Sequence, residues 1–289
     1  MFDFIEELKK LNAKRIFIQY PEGLKLRIQE IDQELQKQGF ETVICCEPTF
    51  GACDVRDFEA ERLGCDAILH IGHSDFGVKS KIPVVYVDYF IDVDPLPILE
   101  KEFEKIEKYK TICLFTSLQY VSAMKKVKEW LENKNKKIIF VKGEKYEGQI
   151  LGCRIDFANK AADCMLYIGT GKFHPLGLAL LTEKPVFSLD LEQKKIVNFE
   201  KEKMKYLKKK IWYEEKLKEA KTVGIVVCWK HGQNRIKEAF ALKRQLENNG
   251  KKVHILAFDT VSKEKILGFK FDSLVYMLCP RITDEDFLE

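Results

Sequence analysis

The chain has 289 residues, 46% hydrophobic and 33% charged, enough to bury the cores of two or three domains and far from the composition of a disordered or collagen-like chain. Its 49 basic and 45 acidic residues leave a net charge of +4, and they are interleaved along the chain as solvated faces are, so no nucleic-acid partner is expected. No apolar run approaches the roughly 20 residues of a bilayer span and the start of the chain is acidic where a signal peptide is basic, so the expectation is a cytoplasmic protein with no membrane partner.

Taken in chain order, the first strand is predicted over 15–18, followed by a helix with the apolar stripe Ile28, Ile31 and Leu35 and a second strand over 42–45. Asp66 then opens a strand that runs into Gly72 and His73, and Pro83 opens a fourth over 83–87. The same succession returns twice. A strand over 112–115 precedes the stripe Met124, Val127 and Leu131, a strand over 137–141, an Asp163-led strand ending at Gly169 and Thr170, and a closing strand over 185–189. In the last copy a strand over 223–227 precedes the stripe Ala239, Leu242 and Leu246, a strand over 253–256 and an Asp272-led strand ending at Leu278 and Cys279.

The three aspartate-led strands are spaced by about 100 residues, which predicts an α/β fold of three similar small βαβ domains with parallel sheets, 1–94, 95–197 and 198–289. Charged helices predicted over 98–110 and 199–221 mark the boundaries as solvated connectors. About ten residues follow Cys279, too few for the closing strand of the first two copies, so the third sheet is expected to be short of it or completed differently.

Nine cysteines in a chain with no sign of secretion read as thiols that pack, bind metal or do chemistry. Cys45, Cys113, Cys164 and Cys228 fall inside apolar strand runs and are expected to be buried, with Cys46 and Cys65 near element ends. Cys53, Cys153 and Cys279 instead sit in loops after strands, one in each copy. Parallel sheets present their binding groups at the carboxyl ends of the strands. If the units pack about a pseudo-threefold axis, these three thiols converge; three thiolates suit an iron-sulfur cubane with one open iron, whereas structural zinc takes four ligands. Free loop thiols are the competing reading.

Two other loops carry candidate binding groups. Gly169-Thr170-Gly171-Lys172-Phe173-His174-Pro175 precedes a helix predicted over 176–181 and offers backbone N–H groups to a carboxylate or phosphate, although it lacks the P-loop spacing. Lys230-His231-Gly232-Gln233 follows the first strand of the third copy, where Lys and Gln suit a polar ligand and a hydrated turn is the alternative. Counted from the repeated aspartate, His73, Thr170 and Cys279 occupy the same offset, so one loop of each copy is expected to face a shared central site. His70 and His254 lie within predicted strands and are expected to be packed; His73, His174 and His231 lie in loops.

Tyr20-Pro21-Glu22-Gly23-Leu24, Gly51-Ala52-Cys53-Asp54, Gly72-His73-Ser74, Gly148-Gln149-Ile150-Leu151-Gly152-Cys153, the Gly169–Pro175 string, Lys230-His231-Gly232-Gln233 and Cys279-Pro280-Arg281-Ile282 together make the chain resemble a known family. It resembles the radical iron-sulfur enzymes of diphthamide biosynthesis, the 2-(3-amino-3-carboxypropyl)histidine synthases, in their archaeal homodimeric form. That resemblance implies three α/β domains around a [4Fe-4S] cluster held by Cys53, Cys153 and Cys279. It further implies reductive cleavage of S-adenosylmethionine to methylthioadenosine and an aminocarboxypropyl radical, which adds to C2 of a histidine imidazole on translation elongation factor 2. A homodimer and a reductant protein are implied as partners, and Gly169, Thr170, Gly171, His174, Lys230, Gly232 and Gln233 are expected to hold S-adenosylmethionine. A quinolinate-synthase-like dehydratase, in which the open iron is a Lewis acid, and a non-catalytic electron-relay subunit are the competing readings.

Overall fold

The computed structural model describes residues 3–140, 143, 145–151 and 161–279. Its strands form three sheets. The first has β1 (Arg15–Gln19), β2 (Glu41–Ile44), β3 (Ala67–Ile71) and β4 (Val84–Val87) in the order β2-β1-β3-β4, all parallel. The second has β5 (Thr111–Thr116), β6 (Lys137–Phe140), β7 (Cys164–Gly169), β8 (Val186–Asp190) and β9 (Lys195–Asn198) in the order β6-β5-β7-β8-β9. The third has β10 (Thr222–Cys228), β11 (Lys252–Phe258) and β12 (Ser273–Met277) in the order β11-β10-β12. The strand order is therefore the same in each, with an extra closing strand in the first two.

The helices are α1 (Asp3–Lys10), α2 (Lys25–Lys37), α3 (Asp57–Arg62), α4 (Leu96–Glu102), α5 (Val121–Asn133), α6 (Phe173–Ala179), α7 (Glu200–Glu219), α8 (Ile236–Asn248) and α9 (Lys263–Ile266). The predicted stripes are the faces that pack. Ile28 and Leu35 of α2 are buried against Ile16, Ile18, Leu69 and Ile71. Met124, Val127 and Leu131 of α5 pack on Ile112, Leu114, Leu166 and Ile168, and Ala239 and Leu246 of α8 on Val223, Ile225 and Val227. The central strands β1, β3, β5, β7 and β10 are buried on both faces, which is why they read as continuous apolar runs and not as alternations.

The repeated aspartate explains the sequence repeat. Asp66 accepts hydrogen bonds from the backbone N–H groups of Lys14 (2.9 Å) and Arg15 (3.2 Å). Asp163 accepts from Lys110 (2.9 Å) and Thr111 (2.8 Å), and Asp272 from Lys221 (2.9 Å) and Thr222 (2.7 Å). In each sheet the carboxylate that precedes the third strand thus staples the amino end of the first, capping donors that the ladder leaves open.

Several expectations are corrected. The helix predicted over 98–110 is α4 and ends at Glu102, followed by a 3-10 turn over Phe103–Lys105. The helix predicted over 176–181 starts three residues earlier, at Phe173, as α6. β2 stops at Ile44, so Cys45 lies just past the strand, although it is buried as expected. His254 is exposed because β11 is an edge strand. β9 has no counterpart in the sequence reading: it folds back antiparallel on β8 around a turn in which Asp190 accepts from the N–H groups of Glu192 and Gln193, and it carries the second sheet to Asn198. No helix among the described residues is long and apolar enough to cross a membrane.

Candidate iron-sulfur centre

The loops at the carboxyl ends of the strands gather the candidate residues. The loop after β3 is held close to its own sheet: the Gly72 N–H donates to Val87 O at 2.7 Å, and Gly72 has φ +82°, a conformation that favours glycine. A side chain there would press on Pro21 and Leu24 at 3.2 Å, so the Tyr20–Leu24 string is the floor under Gly72-His73-Ser74. His70, fully buried on β3, shares a 3.0 Å hydrogen bond between its Nε2 and Nδ1 of His73. Burial keeps both imidazoles neutral at physiological pH, lowering His73 to about 4 and His70 well below its ordinary value.

The second unit joins the first through this loop. Gln119 donates to Gly72 O at 2.8 Å, and the buried Gln149 donates from Nε2 to Ser74 Oγ at 2.8 Å. Gln149 is itself aligned on β5 by a bridge to Thr116 and by the Ile150 N–H on Thr116 O (2.9 Å). The Gly148–Leu151 string, which in the sequence leads to Cys153, therefore lies against both units. Cys153 itself is outside the described residues.

The loop after β7 begins at Gly169. Thr170 Oγ1 lies 3.5 Å from Tyr120 Oη, and His174 Nδ1 lies 3.3 Å from Tyr167 Oη with its ring stacked on the tyrosine at 5.6 Å. Gly171 is exposed. Thr170 and His174 are thereby fixed by two tyrosines of their own unit.

Cys53 sits in the long irregular loop between β2 and α3, half-buried, and the loop after β10 closes on it. The Gly232 N–H donates to Cys53 O at 2.9 Å, and Gln233 Nε2 lies 3.6 Å from Cys53 Sγ. Lys230 pairs with Asp54 at 2.6 Å, both side chains being almost wholly buried. Arg56 reaches Asp259 at 3.1 Å and His231 reaches Asp57 at 2.5 Å. Backbone hydrogen bonds and His231 pull the Asp57 carboxyl below its usual range against the opposing effect of burial. Arg56, Asp57 and Asp259 were missing from the sequence reading, in which Asp54 stood only as the last residue of the Gly51–Asp54 string with no role assigned.

A cleft of about 330 Å³ opens beside this contact, lined by Phe50, Lys230, Gln233, Asp259 and Leu278 among others. Leu278 directly precedes Cys279, the half-buried thiol that ends the β12 segment, so the same cleft is flanked by the loops of Cys53 and Cys279.

The donor chemistry separates two classes of cysteine. Burial raises the thiols of Cys45, Cys65 and Cys228, and pushes Cys113 and Cys164 up to about 12, so these stay protonated and apolar. Cys53 and Cys279 are the half-buried pair at carboxyl-end loops. Near Cys53, Tyr86 Oη and Gln233 Oε1 are buried polar atoms with no partner among the described residues, and Tyr86 and Cys53 pack against the same small cluster of Ala52, Phe76 and Leu151. Soft thiol donors next to unsatisfied polar atoms fit a thiolate-held cluster. Two of its three expected ligands are described, and among the described residues no three His, Cys, Asp or Glu side chains form a metal site by themselves.

Residues 20–287 match the family described as "Putative diphthamide synthesis protein". The chain belongs to the diphthamide synthesis protein family. Within it, the chain is 32% identical to the 2-(3-amino-3-carboxypropyl)histidine synthase of Pyrococcus horikoshii, over 99% of this chain and 84% of that one. It is 30% identical to the enzyme of that name from Methanocaldococcus jannaschii, over 98% and 82% of the two chains. It is also 28% identical to subunit 1 of the synthase of Saccharomyces cerevisiae, over 96% and 67%. The fold is similar to the crystal structure of Dph2 from Pyrococcus horikoshii with a 4Fe-4S cluster, with a TM-score of 0.89 over 99% of this chain and 85% of that chain. The resemblance drawn from the motifs and the α/β fold expected from the repeat both agree with these likenesses.

Proposed function

We propose that this chain is a 2-(3-amino-3-carboxypropyl)histidine synthase, transferring the aminocarboxypropyl group of S-adenosylmethionine to C2 of a histidine imidazole of translation elongation factor 2, the first step of diphthamide biosynthesis. The observation that carries the reading is that the loops bearing Cys53 and Cys279, in the first and third units, both line one cleft, through Phe50 and Leu278. The likeness to named synthases over nearly the whole chain supports it.

In this reading Cys53, Cys153 and Cys279 hold a [4Fe-4S] cluster, and the chain divides into the units 1–94, 95–197 and 198–289 with one thiol each. When bound, the cluster supplies one electron to the sulfonium, so that the bond to the aminocarboxypropyl carbon breaks and methylthioadenosine leaves. The protein's task is orientation: which of three C–S bonds faces the open iron is decided by how the co-substrate is seated. Gly169, Thr170, Gly171 and His174 supply one wall of that seat, and the loop of Lys230, Gly232 and Gln233 the other. The chain works in the cytoplasm as a homodimer, with a reductant protein.

The test is anaerobic reconstitution with iron and sulfide, reduction by dithionite and chromatography of the S-adenosylmethionine products. The expected result is methylthioadenosine, with label on the elongation factor's histidine, both lost in Cys279→Ala. A bound cluster that yields no methylthioadenosine overturns the reading in favour of a dehydratase or an electron-relay subunit.

A further inference from the structure

Residues 50–56 belong to no helix or strand, so their own sheet does little to fix Cys53. From the first unit, Gln19 of β1 donates to Asp54 O and accepts from the Arg56 N–H at 3.3 Å, and Glu59 of α3 pairs with Arg56 at 3.1 Å. The third unit adds holds at four of the five positions from 53 to 57. Gly232 and Gln233 engage Cys53, Lys230 engages Asp54, Asp259 engages Arg56 and His231 engages Asp57. Between residues 53 and 57 only Val55, a core residue, makes no such bond. Lys230 also lies over the Phe50 ring at 4.9 Å, and the His231 ring stacks on Phe58 at 5.6 Å and 7°.

We propose that the loop Lys230–Gln233, with Asp259, is a clamp that sets the position of Cys53 for cluster binding, so that the third unit governs two ligand positions: its own Cys279 and the first unit's Cys53. This inference rests on the cluster reading above and adds positioning residues to it. Gly232 is the contact point. An added Cβ would stand 2.3 Å from Cys53 Cβ, 2.8 Å from its Cα and 3.0 Å from its carbonyl oxygen, so no side chain fits without moving the backbone of the ligand itself. Lys230 and Asp54, both nearly inaccessible, fix the next residue by a charge-assisted bond. Arg56 has the same function two residues on, its guanidinium shared between Glu59 of α3 and Asp259 of the third unit. The clamp also explains why the Lys230-His231-Gly232-Gln233 string accompanies Gly51-Ala52-Cys53-Asp54: the two strings are the halves of one contact.

The test compares wild-type, Gly232→Ala and Asp259→Asn proteins, each with all cysteines intact, after anaerobic reconstitution with iron and sulfide. Bound iron, the spectrum of the reduced cluster by electron paramagnetic resonance, and iron release to a chelator are read, with the thermal midpoint of the apo-protein alongside. Gly232→Ala is expected to bind less than half the wild-type iron with an altered spectrum, in an apo-protein that still melts cooperatively at a midpoint lowered by the local shift. Asp259→Asn, which leaves Gly232 and Cys53 untouched, is expected to load iron but release it several-fold faster, and Asp259→Glu to restore slow release. Wild-type loading, spectrum and release rate in both Gly232→Ala and Asp259→Asn overturn the clamp. Should Gly232→Ala fail to fold, the Asp259 pair decides alone. Absence of iron from the wild-type protein itself would overturn the cluster reading and with it the clamp, whereas wild-type loading with unaltered variants overturns the clamp alone.

Discussion

The two ends of the three sheets are built on different principles. At the amino ends one device is used three times: an aspartate before the third strand accepts from two backbone N–H groups at the start of the first. At the carboxyl ends the loops diverge into His73 against His70, Thr170 and His174 against tyrosines, and Cys53 under the Lys230–Gln233 loop. The amino-end bonds stay inside a sheet, whereas the described bonds at the carboxyl ends repeatedly join one unit to another. Repetition therefore reports how each unit folds, and departure from it reports where the units meet to make a site.

The largest stability effect is expected at the carboxyl ends, in the Lys230–Asp54 pair. Both side chains are buried, so Asp54→Ala strands an ammonium with no counter-charge and is expected to cost about 3–5 kcal/mol, read by chemical denaturation. A loss near zero would mean that Lys230 finds water or another acceptor, and that the contact between the first and third units is looser than its distances.

The thiols give the next contrast, in reactivity. Cys113 and Cys164 are raised to about 12 by burial, so near pH 8 about one thiol in ten thousand is ionised. Iodoacetamide on the native apo-protein is expected to modify the exposed Cys46 and the half-buried Cys53 and Cys279, and to reach Cys113 and Cys164 only after denaturation. Labelling of Cys113 as fast as Cys46 would show that the strand cores open readily.

The sequence makes the periodic part of this legible. Apolar runs at β1, β3, β5, β7 and β10, stripes on α2, α5 and α8 and the repeated aspartate all follow from local spacing, whereas the order of the strands is set by non-local pairing that no local spacing reports. β9 escaped because four residues, half of them polar, carry too little periodicity, and its signal lies in the turn, where Asp190 caps two N–H groups. The site was legible as cysteines in loops, since glycine-flanked thiols after strands stand out from thiols within them. Its charged framework was not: Asp54 stood only within a motif string, Arg56, Asp57 and Asp259 have the composition of a solvated turn, and it is the pairing of loops distant in sequence that buries Asp54, Arg56 and Asp57 against Lys230, Asp259 and His231.

The smallest effect is expected at the amino ends, where the staples are exposed to solvent, and it has a definite sign with pH. Backbone hydrogen bonds hold the Asp163 and Asp272 carboxyls below their ordinary value. A carboxyl whose folded pKa is depressed contributes stability that is present above the unfolded value of about 3.9 and lost as pH falls through the folded value. Asp272→Asn keeps one acceptor and loses the charge, so near neutral pH it is expected to lower the thermal midpoint by only a few degrees. The gap between wild type and variant should then close as the pH is taken below that unfolded value, because the wild-type carboxyl becomes neutral like the amide. A gap that persists unchanged into acid would mean that the staple works by shape alone, with the carbonyl oxygen sufficing and the charge contributing nothing.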